Sequence, residues 1–261
     1  MKIALLDSGI GLLAAAAALR ALRPDADLVL TCDPDGMPWG PRTPADVTRH
    51  ALACARAAAA HRPDALVVAC NTASVHALDA IRAELEPGIP VIGTVPAVKP
   101  AAAGGGPVAI WATPATTGSA YQRGLIQEFA AGAEVVEVPC PGMADAVERA
   151  DEQAITETVA AACARTPAGV RALVLGCTHY ELVRDRIRAA LGDPEGLTLH
   201  GSAQAVAVQA LRRVAPEAVA RQGGGSLLVL RSGRVGEQLP AALAYPEGRL
   251  LDALATAPAR P

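Results

Sequence analysis

The sequence predicts an α/β protein built from two pseudo-symmetric homologous domains. Each domain is read as a mainly parallel sheet flanked by helices, with an active site expected in the interdomain cleft. Three observations lead there: short apolar runs alternate with longer helical stretches, the motifs of the first half return in order in the second, and the composition suits a close-packed aliphatic core. At about 150 residues per domain, the 261 residues allow one to two domains.

Along the first half, Lys2–Leu6, Asp27–Thr31, Ala65–Ala69 and Val91–Gly93 read as short buried strands. Between them Gly11–Leu22, Thr43–His61 and Ser74–Glu86 carry Ala, Leu and Arg at helical spacing. The run Ala65-Leu66-Val67-Val68-Ala69-Cys70 returns 107 positions later as Ala172-Leu173-Val174-Leu175-Gly176-Cys177. Downstream, Ile81-Arg82-Ala83 returns as Ile187-Arg188-Ala189. Ile3-Ala4-Leu5-Leu6 matches Val108-Ala109-Ile110-Trp111, which sets Ser8 opposite Thr113. Leu28 to Cys32 likewise matches Val135 to Val138 with Cys140. Four matches in collinear order read as a duplication.

Pro96, Pro100 and Gly104-Gly105-Gly106 punctuate the chain between the halves, and a second crossing is expected near Leu199–Ser202. Residues 1–96 with about 200–261 are therefore assigned to the first domain and 97–199 to the second. The turn at Gly223-Gly224-Gly225 precedes a further strand at Ser226–Leu230, expected to return to the first half. The Ala/Pro-rich tail from Ala253 to Pro261 is expected to fray.

Composition excludes several classes of function. With 23 Lys+Arg against 26 Asp+Glu, the net charge of −3 is the wrong sign for a broad nucleic-acid footprint. At 2% aromatic residues, a base-stacking surface is excluded as well. The chain is 51% hydrophobic and 19% charged, so it is not disordered. Asp7-Ser8-Gly9 interrupts the apolar N-terminal run, which argues against a secretory leader. No uncharged, proline-free apolar stretch is long enough to span a membrane. Six cysteines are too few for a disulfide scaffold, so reduced thiols and a cytoplasmic location are expected.

Cys70 and Cys177 each follow a strand and enter a helix, at the end of an α/β sheet where ligands bind. Positive helix ends there would favour thiolate. Two thiols on opposite sides of one cleft suit inversion of a stereocentre: one takes a proton from carbon while the other donates to the opposite face. A cysteine after a strand also reads as a small buried hydrophobe, but polar neighbours, Asn71-Thr72 and Thr178-His179, favour chemistry for this pair. Neither has a partner at metal-ligand spacing, so no metal is expected. Cys32, Cys54, Cys140 and Cys163 read as packing.

These motifs carry a resemblance. Asp7-Ser8-Gly9-Ile10-Gly11, Pro38-Trp39-Gly40, Cys70-Asn71-Thr72-Ala73-Ser74 and Gly176-Cys177-Thr178-His179-Tyr180 resemble the ordered motifs of the cofactor-independent glutamate racemases. Thr113-Pro114-Ala115-Thr116 with Ser119-Ala120-Tyr121 is similar to that family's entry into the second domain. The resemblance implies that Cys70 and Cys177 alternate as acid and base, with Asp7 assisting the first thiol and His179, with Glu148, the second. It implies D-glutamate production for peptidoglycan, and a homodimer. The bland readings are a helix cap for Asp7, a hydrogen-bonded core histidine for His179 and a solvated helix residue for Glu148.

Substrate binding is expected from Asp7, Ser8, Trp39, Gly40, Asn71, Thr72, Thr113, Thr116, Thr178 and His179, whose hydroxyl, amide and backbone groups suit a zwitterionic amino acid. The chain has two lysines, Lys2 and Lys99, neither in a Schiff-base context, which disfavours pyridoxal chemistry and leaves no cofactor expected. Four positions depart from the family pattern: Leu12 for a second Gly, Trp39 for Tyr, Ala112 for Gly and Glu181 for Pro. Trp39 is expected to add bulk to the pocket, and Glu181 to place negative charge near the second thiol. They keep two alternatives open: a racemase for aspartate or another amino acid, and a catalytically weak paralogue that binds a partner. A thiol-redox or metal protein is a third class.

Overall fold

The computed structural model describes residues 1–214 and 224–255. In chain order the first stretch runs β1 (Lys2–Leu6), a 3-10 turn (Ile10–Leu12), α1 (Leu13–Leu22), β2 (Asp27–Cys32), α2 (Pro44–Ala59), β3 (Ala65–Val68), α3 (Asn71–His76), α4 (Leu78–Leu85) and β4 (Val91–Gly93). There follow α5 (Val98–Ala103), β5 (Val108–Ala112), α6 (Ala120–Phe129), β6 (Val135–Pro139), α7 (Met143–Glu148), α8 (Glu152–Cys163), β7 (Ala172–Leu175), α9 (Thr178–Glu181), α10 (Arg184–Ala190) and β8 (Thr198–His200). The described residues close with α11 (Ala203–Val214), β9 (Leu227–Arg231), β10 (Arg234–Gly236), a 3-10 turn (Pro240–Ala244) and α12 (Pro246–Ala255).

The chain divides into two compact units: Met1–Thr94 with the chain from Ala203 onward, and Val95–Ser202. The first unit holds a six-stranded sheet ordered β10-β9-β2-β1-β3-β4, parallel throughout except for the antiparallel β9–β10 hairpin. The second holds a four-stranded parallel sheet ordered β6-β5-β7-β8. Its order mirrors β2-β1-β3-β4. The register carries the duplication down to single residues: Ile3 pairs with Leu28 and Ala65 as Val108 pairs with Val135 and Ala172. Strands β1, β3, β5 and β7 read as unbroken apolar runs because helices cover both faces of a parallel sheet.

Local chemistry sets the helix starts. Thr43 caps α2 by accepting from the Asp46 N–H, with Pro44 in the first turn, where its missing N–H costs nothing. Ser119 and Asp151 cap α6 and α8 in the same way. Few aromatics are available, and three of them, Trp39, Trp111 and Tyr180, are among the largest fully buried side chains. Ala, Val and Leu fill most of the remaining core.

The expected helix 74–86 is two helices, turned at Ala77, whose φ of −122° leaves the helical region. Ser74 sits on the first, its Oγ accepting from Thr94 N–H at the end of β4. The helix expected from Gly11 opens instead as a 3-10 turn. The late strand joins the first unit beside β2, with Leu28 opposite Leu227. Gly225 is needed there, since a Cβ would lie 1.9 Å from the Ala26 carbonyl oxygen. Buried Arg20 fixes the same junction by donating to the carbonyls of Pro24, Ala26 and Ser226. Gly223 and the tail beyond 255 lie outside the described residues, whereas residues 253–255, expected to fray, complete α12.

Candidate active site

In the first unit, β1 and β3 are parallel neighbours, so the loops that leave their carboxyl ends lie side by side. Ala69 N–H donates to the Leu6 carbonyl, one step before Asp7 on one loop and Cys70 on the other. Asp7 is fully buried. Its Oδ1 accepts from Ser8 Oγ at 3.0 Å and from Gly9 N–H at 3.3 Å. That bonding closes a tight turn after the strand; Gly9, not Asp7, is the cap residue of the following 3-10 helix. Cys70 is buried in extended backbone at the start of α3, and its carbonyl accepts from Ser74 N–H. Asn71 is buried and Thr72 half-buried at the next two positions.

Trp39 is 1% exposed, sits in the apolar cluster that includes Cys70, Leu6 and Val68, and spends its Nε1–H on Asp33 Oδ2 at 3.1 Å. An indole has no other polar atom, so this bond leaves Trp39 only its ring surface to offer a ligand. Gly40 is half-buried with open space where a side chain would project.

The sequence reading missed Asp33. Its N–H donates to the Ser8 carbonyl, Oδ1 accepts from Ser232 Oγ, and Oδ2 meets both Trp39 and His50 Nδ1, the latter at 2.7 Å. One residue thus ties the β1 loop, through its N–H, to α2, the β9–β10 hairpin and the Pro38-Trp39-Gly40 turn, through its carboxylate. The signal that could have found it is its place just past the end of β2, the rule that selected Cys70 and Cys177.

In the second unit, Cys177 is half-buried in extended backbone at the start of α9. Gly176 precedes it with its N–H on the Trp111 carbonyl at 2.7 Å, and a Cβ there would lie 2.7 Å from the same oxygen. Cys177 Sγ lies 3.8 Å from His179 Nδ1, and His179 Nε2 lies 2.8 Å from Glu148 Oε2 at the end of α7. Both His179 and Glu148 are buried, so Glu148 is not a solvated helix residue. A carboxylate on one ring nitrogen holds the imidazole so that the other faces the sulfur, the arrangement of a base-orienting relay. Buried Thr178 stands between the thiol and the imidazole in sequence. Thr113 and Thr116 share a 3.2 Å hydroxyl contact in the loop after β5.

Glu181 was expected to place negative charge near the second thiol. Its Oε1 accepts from Ser202 N–H at 2.8 Å and Ser202 Oγ at 2.9 Å, which ties the carboxylate to the turn after β8. Burial, with the nearby Cys177 thiol adding to it, pushes the Cys140 thiol up to about 12. Burial first, then the Cys177 and Cys140 sulfurs, push the Tyr180 hydroxyl well above its usual value. Both groups stay neutral beside Cys177 at physiological pH. The helices behind the two thiols have only six and four residues, so their end charges add less than the longer expected helices would.

Among the described residues, no group of three His, Cys, Asp or Glu is placed to hold a metal ion, and no helix is long and apolar enough to cross a membrane. Residues 12–210 match the Asp/Glu/hydantoin racemase family. The chain is 40% identical over 199 residues to a glutamate racemase of Roseiflexus sp., covering 73% of this chain and 72% of that one. A Pseudomonas putida glutamate racemase is 34% identical over 229 residues, covering 85% and 84%. The crystal structure of Escherichia coli glutamate racemase with L-glutamate and an activator superposes with a TM-score of 0.77 at 27% identity, over 93% of this chain and 91% of that one. The strand-end thiols, the His179–Glu148 pair beside one of them and these likenesses agree: the chain belongs to the Asp/Glu/hydantoin racemase family and is an isomerase.

Proposed function

We propose that this protein interconverts L- and D-glutamate by exchanging the α-proton between two thiols, without an organic cofactor. The observation that carries the reading is the equivalence of Cys70 and Cys177. Each stands just past the second of two paired parallel strands in its own unit, at the start of a short helix. In one direction a thiolate removes the α-proton and the other thiol protonates the opposite face; in the reverse direction the roles exchange. His179, oriented by Glu148, takes up and returns the proton of Cys177, and Asp7 serves Cys70.

An α-proton is weakly acidic, so charge developing on the carbon and its carboxylate must meet fixed donors. Asn71, Thr72, Thr113, Thr116 and Thr178, with loop N–H groups near Gly40, are the donors assigned to that task, while Ser8 Oγ and Gly9 N–H hold Asp7 in place and leave Ser8 Oγ as an acceptor for the ammonium. The lysines do not offer a Schiff-base alternative: Lys2 Nζ donates to the His61 carbonyl and Lys99 Nζ lies over the Phe129 ring. Glutamate is chosen over aspartate because the relatives at 34–40% identity are glutamate racemases. D-glutamate made in the cytoplasm would then feed peptidoglycan synthesis.

The test is incubation with L-glutamate and, separately, L-aspartate in D2O without pyridoxal phosphate, following optical rotation and α-deuterium by NMR. Loss of rotation with deuterium uptake is expected for glutamate. Turnover of aspartate alone would overturn the substrate, and inertness toward both would overturn the activity.

A further inference from the structure

The helix that presents the second thiol is too short to hold itself. Thr178–Glu181 is a single turn, and an isolated turn is unstable without outside contacts. Its N-terminal side is fixed by Gly176 on the Trp111 carbonyl and by His179 on Glu148. Tyr180 adds a longer contact, its hydroxyl donating to the Cys140 carbonyl at 3.4 Å. The C-terminal side carries Glu181, a buried carboxylate that a catalytic account of the thiols does not use.

The Glu181 carboxylate holds the Gly201–Ser202 turn. Oε1 accepts from both the N–H and the hydroxyl of Ser202. Gly201 lies under the other oxygen so closely that a Cβ would stand 2.1 Å from Oε2 and 2.6 Å from the carboxyl carbon. Ser202 is the last residue of the second unit, between β8 and α11. Burying a carboxylate is costly unless donors meet it, so these contacts are required by the charge and in turn fix where the turn and the helix meet.

We propose that Glu181 is a positioning residue: its buried carboxylate clamps the helix bearing Cys177 and His179 to the Gly201–Ser202 turn, where the chain leaves the second unit. The clamp sets the thiol's place relative to the imidazole without touching the reacting atoms. Its catalytic consequence rests on the two-thiol reading above; the clamp itself does not.

Two substitutions on different side chains test it. Glu181→Ala removes the carboxylate, and Gly201→Ala forces the carboxylate away while leaving it in the chain. Glu181→Gln is the rescue, since its amide oxygen can still accept from Ser202. For each, kcat and KM for glutamate are measured, together with the iodoacetamide alkylation rate of Cys177 by peptide mass spectrometry. Cys163, the other half-buried thiol of the second unit, is the internal reference.

For Glu181→Ala and Gly201→Ala, a displaced thiol is expected to lower kcat about tenfold, with KM within about twofold. Cys177 alkylation should change at least about threefold while Cys163 does not, and Glu181→Gln should stay within about twofold of wild type throughout. If Glu181→Ala and Gly201→Ala both leave Cys177 alkylation at the wild-type rate, the clamp is overturned. A changed alkylation rate in a protein that does not racemise glutamate would uphold the clamp and overturn the functional reading instead.

Discussion

The buried His179–Glu148 pair sets a measurable coupling inside the second unit. The contact is 2.8 Å, with the two side chains 7% and 8% exposed, so water screens it little. Removing one partner of such a pair and stranding the other costs about 3–5 kcal/mol, whereas Glu148→Gln keeps a neutral acceptor and should cost about 1–2 kcal/mol. A cycle of Glu148→Gln, His179→Asn and the double variant should therefore show a coupling energy of about 1–3 kcal/mol. The chain has two tryptophans, one buried in each unit, so a Trp39→Phe background leaves Trp111 to report urea unfolding of the second unit alone. The same variants should lose racemase activity together rather than additively, because the two residues act as one unit on Cys177. A coupling energy below about 0.3 kcal/mol, with additive losses of activity, would refute the relay.

Two further outcomes follow from the packing. Gly176→Ala places a methyl 2.7 Å from the Trp111 carbonyl oxygen, directly before Cys177; racemase activity should fall about a hundredfold or more for a stability cost of only about 1–3 kcal/mol, read by progress curves and urea midpoints. Burial, with Asp33 adding to it, pushes the Cys54 thiol up to about 12 from an ordinary value of 9.0. A raised folded value means that its stabilisation is complete below about pH 9 and is lost as pH climbs toward 12. Stability should thus fall by about 1 kcal/mol per pH unit more steeply in wild type than in Cys54→Ala when urea midpoints are compared between pH 9 and 10.5; equal slopes would refute it.

What the sequence made legible is what the backbone repeats. The apolar runs at Ile3, Ala65, Val108 and Ala172 could be aligned by eye because strands buried on both faces keep an unbroken pattern, and the same alignment appears in the sheet register. Cys70 and Cys177 stood out for the same reason, as the first reactive side chains past equivalent strands. Partner choice was not legible from local pattern. Glu148 came to His179, 31 positions away, only through the family resemblance, and the hold of Glu181 on Ser202 across 21 positions was not foreseen. The bulk of Trp39 was legible in its loop motif, but the bond that ties its indole to Asp33 was not. Asp33 and His50 escaped notice because each is unremarkable in its own segment, and only the fold brings them within 2.7 Å. The break at Ala77 was hidden because Ala77 itself is the strongest helix former, although the weak formers Ser74, Val75 and His76 lead into it.

The central claim is that both sulfurs are needed, one for each face of the α-carbon. The most direct measurement is the racemisation rate of Cys70→Ser and of Cys177→Ser with D- and with L-glutamate, after both variants are shown to be folded. A serine hydroxyl is a far weaker acid than a thiol, so each variant should lose at least about a hundredfold in both directions. Racemisation at the wild-type rate by either variant would contradict the account.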